Sequence, residues 1–138
     1  MSAPTIASLV FFVFSLIAAI TVEYLLTSFA KSAGLDRLVF VMVPALLAML
    51  YALIVYQGAE RKIKRLGQSV SRGLLVMMLT WLSLATVISW TWCRLGSCLG
   101  ETLLASGMVG GGPMLLDALA AGTVTGFLII RKPPPRIE

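Results

Sequence analysis

The sequence predicts an all-α integral membrane protein: a single domain over residues 1–138, built as a bundle of four transmembrane helices with short loops and both termini on the cytoplasmic side. Three observations carry this. Apolar runs at 5–26, 38–56, 73–92 and 111–130 each approach the ~20 residues that a helix needs to cross a hydrocarbon core of ~30 Å. Inside those runs the only acidic or basic residues are Glu23 and Asp117. The runs are also apolar most of the way round, whereas a helix in water shows one apolar stripe and a polar opposite face.

Composition agrees. Hydrophobic residues make up 59% of the chain and charged residues 12%, a balance that suits lipid and leaves no length for a soluble catalytic domain. The first run lacks a preceding basic segment and exceeds a signal peptide's apolar core, so it reads as a span. The net charge of +5 points to topology and not to nucleic acid, because the basic residues flank the spans. Arg61, Lys62, Lys64, Arg65 and Arg72 lie between the second and third runs, and Arg131, Lys132 and Arg136 follow the fourth. The opposite side has only Lys31, Arg37 and Arg94. The positive-inside rule then puts both termini in the cytoplasm and makes Arg61, Lys62, Lys64 and Arg65 an inner-surface basic group facing lipid headgroups.

Each element follows in turn. Pro4 suits the first turn of span one, where its missing N–H is harmless. Gly34 reads as a stop after that span and Asp36 as a cap for span two, in which Pro44 predicts a kink. Residues 60–72 read as a short basic helical extension along the inner headgroups. Trp90 and Trp92 fall at the outer end of span three, and Tyr24 and Tyr56 near other span ends, as aromatic belts do. Residues 93–109 read as an irregular outer loop with a half-turn of helix at 101–105. Gly110, Gly111, Gly112 and Pro113 read as a flexible hinge into span four. The tail 131–138 contains Pro133, Pro134 and Pro135 and reads as extended polyproline.

Asp117 lies about 9 Å below the outer end of span four at ~1.5 Å per residue. A carboxylate at that depth costs roughly 2.5–3.5 kcal/mol, so it should face protein or water, or carry its proton. It reads either as a proton or cation site or as an interhelical hydrogen bond that fixes packing. Ser15, Ala19, Glu23 and Thr27 recur every four residues and share one face, which turns Glu23 into the bundle. The two acids, on antiparallel helices, would then converge, with Lys31 or Arg94 above them as counter-charges.

Ala118, Gly122 and Gly126 form a small-xxx-small ladder on span four, and Ala45, Ala48 and Ala52 a weaker one on span two. Both allow close helix approach by a partner that periodicity does not identify. Cys93 and Cys98 on the outer side suit a short-loop disulfide in an oxidising compartment, with free thiols or a redox role as alternatives. The chain holds no histidine and 2 cysteines, so a zinc or haem site, a Ser-His or Cys-His nucleophile and a C-x-x-C redox motif are all missing. No cofactor or metal is expected.

The stretch Ile20-Thr21-Val22-Glu23-Tyr24-Leu25-Leu26-Thr27-Ser28-Phe29-Ala30-Lys31, continued by Ser32-Ala33-Gly34, resembles the first helix of small multidrug resistance transporters. That resemblance implies four helices in an antiparallel dimer, with Glu23 exchanging protons for cationic drugs. The chain departs from the family in the basic loop after span two, in Asp117, in the cysteine pair and in a charge bias that opposes dual topology.

The reading is a small non-enzymatic protein of the bacterial inner membrane that acts through helix–helix association. It would serve as an accessory or assembly subunit, or as an envelope sensor or immunity-type component, in a homo-oligomer or larger complex. The alternative is an ion- or proton-coupled transporter or channel that uses Glu23 and Asp117.

Overall fold

The computed structural model describes residues 2–29, 37–92 and 98–131. Among them are five helices and no strand: α1 (Ala3–Phe29), α2 (Arg37–Val55), α3 (Ala59–Lys62), α4 (Leu66–Trp92) and α5 (Leu99–Ile130). The expected four-helix count is thus corrected by α3, a single turn formed at the start of the basic segment. The chain turns into it through Gly58, whose φ of 69° is left-handed. An L side chain there is strained although nothing lies within 4 Å of where its Cβ would sit.

Three helical stretches are long and apolar enough to cross a membrane: Ala3–Tyr24, Leu66–Val87 and Gly110–Ile130. The apolar stretch Val41–Val55 of α2 is shorter, so four spans is a finer statement than the described residues carry. The all-helical architecture and its three long apolar helices are compatible with an all-α membrane protein.

The helical extension expected over 60–72 forms in part, as α3 and as the first seven residues of α4, which begins at Leu66. One expected boundary is corrected. Helix α5 begins at Leu99 and passes through Gly110–Gly112 and Pro113 without a break. The irregular outer loop and the glycine hinge therefore give way to helix. Without competing water, a backbone keeps its i→i−4 bonds even through glycines. The caps at Gly34 and Asp36, Lys31, Arg94, Cys93 and the tail beyond Arg131 lie outside the described residues.

Helix α1 packs against α2 and α5, and α4 against α2 and α5, closing a ring in the order α1–α2–α4–α5. The core is rich in alanine: Ala3, Ala7, Ala52, Ala118 and Ala121 are fully buried around Phe11, Tyr56 and Val76. Large apolar side chains point outward instead, including Ile17, Leu50, Met78, Val87 and Leu116. The polar side chains Ser15, Ser69, Thr80, Ser89, Asp117 and Thr125 are buried. Polar groups inside and large hydrocarbons outside is the reverse of a water-soluble fold and suits a lipid surrounding. Three exposed hydroxyls conform as well: Thr21, Thr86 and Thr123 donate to the carbonyls of Ile17, Leu82 and Leu119 on their own helices.

Candidate functional site

Two polar layers cross the bundle. In the first, Ser15 of α1 donates its hydroxyl to Oδ2 of Asp117 on α5 at 3.0 Å. The sulfur of Met77 on α4 lies 4.0 Å from the same hydroxyl. Both polar residues are almost closed to solvent, Ser15 at 4% exposure and Asp117 at 5%. The second carboxyl oxygen, Oδ1, is buried and has no hydrogen-bond partner. A carboxyl held by one donor, with its other oxygen unfilled, is competent to take a proton or a small cation. It equally serves as a packing bond between α1 and α5.

The expected meeting of Asp117 with Glu23 is not what the structure forms. Glu23 is half-buried on the same face of α1 as Ser15. It lies eight residues further on, about 12 Å along the axis at ~1.5 Å per residue. Ala19 between them is buried at 8% exposure, so this face of α1 does turn inward.

The second layer was not foreseen. Tyr56 donates its hydroxyl to the Ser69 carbonyl at 2.7 Å, and the Ser69 hydroxyl donates to the Gly122 carbonyl at 2.8 Å. One chain of bonds thus ties the end of α2 to the start of α4 and onward to α5. Expected at a span end among headgroups, Tyr56 is instead wholly buried, its ring 5.8 Å from that of Phe11. Its position continues the spacing of Ala45, Ala48 and Ala52, all buried, and that periodicity was the available signal.

The ladder on α5 finds its partner here. A Cβ at Gly122 would lie 3.0 Å from the Cα of Val70, and one at Gly126 2.7 Å from the Cβ of Ser69. On the facing helix, a Cβ at Gly73 would lie 2.9 Å from the Ala118 carbonyl. Ala118, Gly122 and Gly126 thus let α4 and α5 of one chain touch backbone to backbone.

Two further bonds cross the bundle elsewhere: Trp81 donates its indole N–H to Ser106 at 2.9 Å, and Tyr51 bonds with Ser83. Of the basic group, Lys62, Lys64 and Arg65 are exposed, while the side chain of Arg61 lies outside the description. Cys98 immediately precedes α5, and its expected partner Cys93 is not described. Among the described residues no three His, Cys, Asp or Glu side chains gather as a metal site would require.

No protein-family model matches the chain, and neither a curated protein nor a solved structure matches it.

Proposed function

We propose that the chain is a small non-enzymatic protein of a bacterial inner membrane, crossing it four times and acting through helix–helix contact with another membrane protein or a second copy. It would serve as an accessory or assembly subunit or as an envelope sensor or immunity-type component. The carrying observation is the outward face of α5 between Leu104 and Leu116. Met108 is 86% exposed, Leu104 70% and Leu116 69%. Beside them, a Cβ on Gly111 or Gly112 would meet nothing within 4 Å. The buried ladder of α5 is already occupied by α4, so a partner helix would approach this outward face, which carries the most exposed large apolar side chains of α5. A Cys93–Cys98 disulfide would brace the adjoining loop.

Photo-crosslinking from positions 108 and 116 in native membranes tests the reading. A discrete adduct is the expected result, its mass separating a second copy from a foreign subunit. Labelling of lipid alone would overturn it.

The unfilled Oδ1 of Asp117 favours a second reading, proton- or cation-coupled transport. Flux in liposomes that Asp117→Asn abolishes while the bundle stays folded would replace the first reading with this one.

A further inference from the structure

Where α3 meets the first turns of α4, the surface opens into a recess of about 620 Å³ lined by Lys62, Gly67, Gln68, Ser71 and Arg72. We propose that this recess binds the phosphate group of an anionic phospholipid, independently of how α5 is used.

The lining consists of donors. Lys62 brings an ammonium, Arg72 a guanidinium and Ser71 a hydroxyl, and none of the described lining residues is acidic. The carboxamide oxygen of Gln68 accepts the backbone N–H of Lys64 at 2.9 Å, which leaves its amide nitrogen to donate. Arg72 is held in place by one N–H given to the Val55 carbonyl at 2.9 Å, and a fixed guanidinium fork matches phosphate oxygens. Gly67 has no atom within 4 Å of its missing Cβ, which keeps the recess open beside the chain. The N-terminus of the 27-residue helix α4 adds a favourable field for an anion.

Position selects a lipid over a free ion. Val55, the anchor of Arg72, ends an apolar helix, and the exposed Leu74 and Leu75 of α4 continue from the recess along the outside of the bundle. A phosphate seated among Lys62, Ser71 and Arg72 would have its acyl chains lying along that apolar surface.

The test titrates the delipidated full chain in detergent with phosphatidylglycerol or phosphatidylcholine and counts retained lipid by native mass spectrometry. Phosphatidylglycerol should be retained preferentially. Lys62→Gln and Arg72→Gln should each weaken its retention roughly fivefold, with phosphatidylcholine unaffected. Lys64→Gln removes the same charge from a residue outside the lining and should weaken it far less. Should Arg72→Gln fail to fold, the exposed Lys62 still decides the matter. Equal retention of both lipids, or equal loss from Lys64→Gln, would overturn the proposal. Inorganic phosphate displacing the lipid at equal concentration would overturn the lipid assignment in favour of a free anion.

Discussion

Ser15 and Asp117, 102 residues apart, are joined by a 3.0 Å hydrogen bond between the middle of α1 and the middle of α5. Among the described residues the serine is the one hydrogen-bond donor to a carboxyl whose other oxygen has none, so its removal strands a buried polar group. Ser15→Ala should destabilise the protein by about 1–3 kcal/mol. Asp117→Asn, which retains an oxygen for Ser15, should cost less. A double-mutant cycle read by unfolding in mild detergent should give a coupling of about 0.6–1.7 kcal/mol; additive single effects would mean the bond contributes nothing.

The backbone contact between α4 and α5 makes an asymmetric prediction about glycines. Gly126→Ala places a methyl 2.7 Å from the Cβ of Ser69 and should lower stability by about 1–3 kcal/mol through forced separation of the helices. Gly111→Ala meets open space and should be neutral or slightly stabilising, because alanine favours helix. Thermal unfolding of the two variants side by side checks this, and equal effects would contradict the packing.

Tyr56 combines a ring contact with a hydrogen bond, and two substitutions separate them. Tyr56→Phe loses the bond to Ser69 and should cost about 1 kcal/mol. Tyr56→Ala also empties the space against Phe11 and should cost about 3–5 kcal/mol. Chemical denaturation curves that coincide for the two would show that the ring does not pack.

The inside-out distribution of side chains is open to fluorescence. Trp90 is 67% exposed, whereas Trp81 is half-buried and bonded to Ser106. In single-tryptophan variants reconstituted with brominated lipid, Trp90 should be quenched strongly and Trp81 weakly. The opposite order would turn α4 around.

The apolar runs were legible because hydrocarbon thickness sets a length that any helix in lipid must meet. Their ends were not, because hydropathy reports where lipid stops and not where helix stops. Gly110–Gly112 is helical although glycine disfavours helix in water. The inward faces of α1 and α5 were readable from the spacing of Ser15 and Ala19 and of Ala118, Gly122 and Gly126. Partnership was not, since it depends on the relative depth of two helices. An error of two turns exchanges Glu23 for Ser15 as the neighbour of Asp117. Tyr56 was misplaced because an aromatic near a span end also fits a belt at the headgroups, and only the alanine spacing before it argued for the interior.

Gly58 separates two constraints that usually travel together. Its surroundings offer room for a side chain, yet its φ of 69° penalises every L-residue larger than hydrogen by roughly 1–2 kcal/mol. The corner between α2 and α3 is therefore selected by chirality alone. A D-alanine introduced there by semisynthesis should be accepted, and its mirror image resisted.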